Sequence, residues 1–585
     1  MFASNTEYRI PEESLINVTQ TARFWPRLFT LVFAGLAVAA PSRAEDSVIS
    51  LMNPSPTGTY LAGQQALQVL DAGQASRFFL DGATEEWDNP VLVDRAFVSL
   101  AGAGKMDDAK TIARHLVELD PQNELGHLVL AAAALKERRY NSVPTELEPI
   151  GTDTFVGITG ALMHAWAEIG LGDVKSANKV LDDIGRSGLD DFLVFHRALM
   201  ADVAGETDTA IALAKKAYEG NPLVPRVVEA YARILANAGR FTEAMKPISD
   251  FENQGLDDPL VSQVKLDIEK KIRPGKLAAN AQEGAAEMFH SIGSALLRDG
   301  STDIAMVFMR IGLYLDPADD MIAMSLAGLL EGAGRPDEAN AIYAEIPRSS
   351  PYRTSANVRT AENLDALGQR SEAIRRLQNM VAVNPDNLDA VSVLGDILRS
   401  DKQYAAAAEA YSQALRIAGG GNRPSDWRFF YVRGIAYERN KEWPKAEADF
   451  KAALKLNPNQ PQVLNYLGYS WVDKGIHLTE ALDMIKRAVS ADPSDGYVVD
   501  SLGWAYYRLG RLSEAVQTME QAVKLRPNDP EINDHLGDVY WKVGRKLEAR
   551  FQWTIARDLD TEGAVKARVE EKLKNGLDAA APTNG

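Results

Sequence analysis

The stretch Leu502-Gly503-Trp504-Ala505-Tyr506-Tyr507-Arg508-Leu509-Gly510-Arg511-Leu512-Ser513-Glu514-Ala515 decides the fold. Gly510 ends one helix, because glycine takes the left-handed conformation that closes a helix without strain. The next starts near Ser513. From Gly503, Ala515 lies twelve residues on, Ala522 nineteen and Pro527 twenty-four. The same steps from Gly434 reach Ala446, Ala453 and Pro458, and from Gly537 they reach Ala549 and Ala556. Leu467-Gly468-Tyr469 and Leu536-Gly537-Asp538-Val539-Tyr540 are altered copies of the opening phrase.

Each repeated position has a physical reason. The glycine sits where the first helix of a pair (helix A) presses on the second (helix B), so a large side chain would force them apart. The two alanines are the matching small sites on helix B. The proline stops helix B, because it lacks an N–H and its ring clashes with the preceding turn. Working outward, the small site recurs at Gly395, Ala361, Ala327, Gly293, Ala232, Ala198, Ala165, Ala131, Phe97 and Gly63. This spacing is identified as that of the tetratricopeptide repeat, a helix-turn-helix unit of about 34 residues. The resemblance covers nearly all of the chain after the first few dozen residues. It implies an all-α fold, a right-handed superhelix (α-solenoid) of about fourteen repeats that share one continuous core.

The register breaks at Gly419-Gly420-Gly421-Asn422, near Gly475–Leu478 and, most widely, between Ala232 and Gly293, where a shortened unit must fit. Asp257–Ile272 reads as a helix broken by Arg273-Pro274-Gly275. The expected organisation is an export leader over 1–44, a degenerate array over 45–258, an irregular helical linker over 259–285 and a second array over 286–563. A capping helix and disordered tail follow over 564–585. The leader reading rests on Arg23 and Arg27 before the apolar run Leu28–Ala40, then Pro41-Ser42-Arg43-Ala44. Small residues at 42 and 44 suit a signal peptidase, and the run is too short for a bilayer, which needs about 20 residues. Cleavage near Ala44 and a periplasmic location are the expectation, with no transmembrane anchor.

The net charge of −18 and the absence of any basic run argue against nucleic-acid partners. With no cysteine there is no disulfide, thiolate metal site or lipid-bearing cysteine. The seven histidines form no H-E-x-x-H and no i, i+4 pair. Gly102-Ala103-Gly104-Lys105 lacks the first glycine and the Ser/Thr of a phosphate loop. No cofactor, metal or catalytic residue is expected, and the reading is of a protein that is not an enzyme.

Binding is expected on helix A, at offsets −6, −3, +1 and +4 from the small site, which share one helical stripe. In the last units the stripe reads Asn465, Tyr469, Tyr497, Asp500, Trp504, Tyr507, Asp534, Asp538 and Trp541. Tyr and Trp beside hydrogen-bonding groups suit extended peptides, and such rings dominate interface energetics. In the early units the stripe is apolar, with Leu125, Leu128, Leu162, Trp166, Phe192, Phe195 and Leu199. It is either a partner site or a surface the coil fills itself. The Lys–Asn clamp of chaperone-docking members is absent. The array length and the block Asn465-Tyr466-Leu467-Gly468-Tyr469-Ser470-Trp471 resemble large envelope adaptors of Gram-negative bacteria. That resemblance implies a periplasmic scaffold that presents cell-wall enzymes to a C-terminal processing protease. The other reading is a structural part of a secretion or polysaccharide-export machine.

Overall fold

The computed structural model describes residues 56–151, 154–184, 189–561, 563 and 565–577. The leader expected at 1–44 and the end of the tail, 578–585, lie outside them. Among the described residues there are thirty α-helices and a few short 3-10 turns. In chain order twenty-eight of them alternate as fourteen A/B pairs, one for each small site in the sequence; thirteen of these pairs pack as hairpins. The two single helices are Pro259–Glu269 and Lys566–Asn575.

The small sites do what their size allows. A Cβ on Gly434 would lie 2.7 Å from the Phe450 ring, one on Gly395 2.6 Å from Tyr411, and one on Gly503 2.8 Å from Met519. In each case a bulky residue sixteen places on, in helix B, lies over the glycine, and the hairpin closes around it. Ala446, Ala453, Ala515, Ala522, Ala549 and Ala556 are all buried at the matching sites. Gly510 takes φ +73° in the turn between its two helices, where any other residue is strained.

The wide gap in register holds half a repeat. Pro259–Glu269 is a lone helix whose first turn is capped by Asp258, which accepts from the N–H groups of Leu260 and Val261. It packs on the preceding hairpin through Val261, Val264 and Ile268. Residues 270–280 then run without regular structure.

The expected boundary at 259–285 is not where the chain divides. The described residues fall into two compact units that part between Arg376 and Leu377, inside the helix Arg370–Val383. The reason is the next hairpin, Ala281–Arg298 with Thr302–Leu315. It folds back against the A helices Pro90–Gly102, Glu124–Lys136, Phe155–Leu171 and Asp190–Val203. Gln282 donates to the Leu135 carbonyl, Lys136 to the Leu315 carbonyl and Arg310 to the Gly102 carbonyl. Residues on both sides of the linker therefore share one core.

Candidate functional site

The apolar stripe of the early repeats is internal. Leu128, Leu162, Trp166 and Leu199 are at most 1% exposed and Phe195 is 6% exposed, while Leu125 and Phe192 are partly covered. The occupant is the helix Ala281–Arg298, which turns an Ala/Gly-rich face to them. A Cβ on Gly284 would run into the Trp166 ring. His196 stands between Trp166, Phe192 and Phe195 with neither ring nitrogen hydrogen-bonded, and burial pushes it down to about 3. Expected as a candidate docking surface, Leu162, Trp166 and Phe195 are core residues here and Phe192 packs against them half-buried, because a later hairpin of the same chain covers the stripe.

The stripe of the last repeats is a ladder between neighbouring A helices. Successive −3 positions are Asn465, Asp500, Asp534 and Arg568, and successive +1 positions are Tyr469, Trp504, Asp538 and Lys572. The carboxylates at these places meet cations one helix further on. Arg568 Nε lies 2.7 Å from Asp534, and Lys572 Nζ lies 2.8 Å from both Asp534 and Asp538. Both cations come from the helix Lys566–Asn575, whose Val569 is also buried, so the capping helix is held by charge and by apolar contact. Trp553 donates its indole N–H to Asp538. Trp541 stacks near Trp553, with Lys546 3.6 Å over its ring and Gly576 against its edge.

His535 is the centre of this ladder. Its Nδ1 lies 3.0 Å from both Asp500 carboxylate oxygens, and its Nε2 lies 3.4 Å from Glu531. Burial alone would lower its pKa; Asp500 and Glu531 outweigh burial and hold the imidazolium up to about 10. Burial likewise works against Glu531, but His535 and Arg568 hold its carboxyl down to about 2. Asp538 goes the other way, raised to about 6 by burial and by Asp534 beside it. Four carboxylates (Asp500, Glu531, Asp534, Asp538) thus face three cations.

A stability change with pH follows. A histidine raised from its ordinary value near 6.5 stabilises the fold fully below that value, and the contribution is lost as pH rises towards 10. Denaturant titrations of the wild type should therefore show falling stability of the last repeats between pH 6.5 and 10. His535→Gln should be less stable at pH 6.5 and show a much flatter profile over that window. Parallel profiles for the two proteins would mean that His535 is not charged in the folded state.

Two stripe atoms are left unsatisfied. Asn465 is 4% exposed and its Oδ1 accepts no hydrogen bond; the Trp504 indole N–H, half-buried, donates none. Trp504 is fixed by stacking on His535 at 4.3 Å and on Tyr507 at 4.9 Å. Tyr497 carries Arg526 over its ring at 4.6 Å. Tyr469 lies largely covered at the edge of a small polar cleft with Tyr466, Glu438, Arg439 and Lys474. Both atoms are covered by the neighbouring helices, while the faces of Trp504 and Tyr507 are only half-buried. Asp500, Asp534 and Asp538 are already paired inside the array. The sequence missed the sixteen-residue partners of the small sites and the Arg568/Lys572 pair, although the steps 500, 534, 568 and 504, 538, 572 carried the signal.

Among the described residues no cluster of three metal-ligating side chains occurs, and no helix is long and apolar enough to cross a membrane.

Family models described as TPR repeat and tetratricopeptide repeat match residues 503–544, 197–250, 358–422 and 427–460. A TPR repeat-containing protein of Pseudomonas aeruginosa is 27% identical over 180 residues, 30% of each chain. Tetratricopeptide repeat protein 13 of Homo sapiens is 26% identical over 190 residues, 31% of this chain and 21% of that one. The chain thus spans less than a third of the length of these relatives. Among solved structures, the yeast Tom70 has 14% identity and a TM-score of 0.37, covering 72% of this chain and 95% of that one. The Cut9–Hcn1 hetero-tetramer has 13% identity and a TM-score of 0.37, covering 91% and 98%.

Proposed function

The chain belongs to the tetratricopeptide-repeat superfamily, and from that premise we propose that it is a non-catalytic scaffold that binds an extended segment of another protein. The observation that carries this reading is the half-buried aromatic face of the last A helices, where Trp504 stacks on Tyr507 at 4.9 Å with Asn465 on the neighbouring A helix. Large flat rings with a polar edge supply contact area to an extended segment at low entropic cost. A strand of peptide lays its side chains against Trp504 and Tyr507.

The finer reading is a periplasmic adaptor that brings cell-wall enzymes to a C-terminal processing protease. It is supported by the leader-like segment ending at Ala44 and by the aromatic block around Asn465–Trp471. The test is affinity purification of the chain from its own periplasm beside Asn465→Ala/Trp504→Ala, with mass spectrometry of the eluates. The expected result is a protease and cell-wall hydrolases with the wild type and their loss from the variant. Each substitution should weaken binding by about 2 kcal/mol, close to thirtyfold. Export-machine subunits retained by both proteins would instead favour a structural role in secretion or polysaccharide export.

A further inference from the structure

One repeat is incomplete. Its helix A is Glu124–Lys136. Where helix B should follow there is a 3-10 turn of three residues, Tyr140–Ser142, and a helix of five, Val143–Leu147. Helix B of the repeat before it has fourteen residues, Met106–Leu119, and so has Thr207–Gly220 further on. The start of the short helix is anchored, with the Tyr140 ring filling the space over Gly170. Its far end is missing by about six residues, roughly 9 Å of helix at 1.5 Å per residue.

Among the described residues that length is open. A cleft of about 570 Å³ lies between Val143–Leu147 and the next hairpin, Phe155–Leu171 with Val174–Ile184. Its floor is Leu147, Gly157, Gly160, Ala161, Val180 and Ile184. Gly160 lies under Leu147, whose Cδ2 is 3.1 Å from where a Cβ would stand, and the small, half-buried Ala161 beside it keeps the floor low. The rim carries Glu148 and Asp183, both exposed. His164, also at the rim, is turned to Glu168 at 3.2 Å.

We propose that this cleft docks a short amphipathic helix of a partner protein, which completes the truncated repeat by taking the place of the missing turns of helix B. The floor dictates apolar residues at i, i+3 and i+4 on the incoming helix, as Ala109, Ile112, Ala113 and Leu116 supply them in the intact repeat before it. The acidic rim dictates Lys or Arg on its flanks. This surface is separate from the Asn465/Trp504 site and needs nothing from it.

Because the chain has no cysteine, Thr145→Cys places a single thiol at the mouth of the cleft. The full chain carrying it, labelled with an environment-sensitive fluorophore, is titrated with a stapled twelve-residue helix bearing leucines at i, i+3, i+4 and i+7 and flanking lysines. The expected result is a saturable blue shift with a micromolar Kd. Glu148→Lys/Asp183→Lys should raise that Kd at least tenfold with unchanged unfolding midpoint, since both side chains are exposed. Ala161→Trp, which fills the floor, should abolish the shift, and glutamates in place of the peptide lysines should weaken binding as the rim reversal does. No saturable binding, or equal binding to all variants, would overturn the proposal. A shift produced by a fatty acid but not by the helix would also overturn it and make the cleft a small-molecule site.

Discussion

Trp166→Ala is expected to lower the stability of the unit built from residues up to Arg376 by about 3–5 kcal/mol, the range for emptying a buried aromatic site. The ring is 0% exposed and lies against Gly284, more than a hundred residues away. Its surroundings are Phe195, His196 and the helix Ala281–Arg298, so little can collapse into the space left. The converse change tests the same contact. Gly284→Ala adds one methyl where the ring already is, and overpacking of this kind costs about 1–3 kcal/mol. Combining the two should cost less than their sum, because the alanine at 284 grows into the vacated space. Thermal unfolding of the two single variants and the double variant supplies the cycle. An open docking stripe would behave oppositely, with Trp166→Ala unfolding at the wild-type temperature and only ligand binding lost.

That contrast marks where the sequence stops being legible. The fourteen helix pairs could be read because each is local: Gly503, Ala515 and Ala522 lie within twenty residues, and their size requirement repeats. The half-repeat at Pro259–Glu269 and the capping helix Lys566–Asn575 were also readable, from the proline and glycine that bound the first and the charge of the second. The return of the hairpin 281–315 onto the early repeats was not. Gln282 to Leu135 spans 147 residues and Arg310 to Gly102 spans 208, and no period links them. The only trace is compositional. Leu162, Trp166 and Phe195 are too apolar for a stripe in water, and the helix that covers them opens Ala-Gln-Glu-Gly-Ala-Ala, small enough to slide over large rings. For the later stripe, helical periodicity assigns the residues to one face of helix A. It could not say that Asp500, Asp534 and Asp538 would be spent on His535, Arg568 and Lys572, because that depends on which residue the next repeat sets opposite.

The returning hairpin is also held by charge, and the second large effect is expected there. Arg226 lies 2.7 Å from Glu287 and 2.8 Å from Glu229, with Asp319 at 3.7 Å. Arg233 closes the group, donating to Glu229 at 2.8 Å and to the Pro274 carbonyl at 2.7 Å. Glu229 and Glu287 are almost fully buried. Burial would raise the Glu229 carboxyl, but Arg226 and then Arg233 outweigh it and hold it below its usual range. Arg226→Met keeps the side-chain length and removes the charge, leaving Glu229 with Arg233 and Glu287 with only the Ser291 hydroxyl. Breaking a buried pair in this way costs about 3–5 kcal/mol. The cost should depend on pH with a definite sign. In the variant a carboxylate is raised above its unfolded value near 4.3, so its neutral form is favoured in the fold; stability is then retained at low pH and lost as pH rises through the raised value. The destabilisation is therefore smaller at pH 5 than at pH 8, where wild type and variant diverge most. Arg226→Met/Glu287→Gln, which removes that pair as a whole and leaves Glu229 on Arg233, should recover much of the loss, because a buried ion pair replaced as a whole is often close to neutral. Denaturant titration at the two pH values decides the matter. A pH-independent cost below about 1 kcal/mol for Arg226→Met is the behaviour of a solvent-exposed pair, and it would mean that the hairpin 281–315 is not seated on the early repeats.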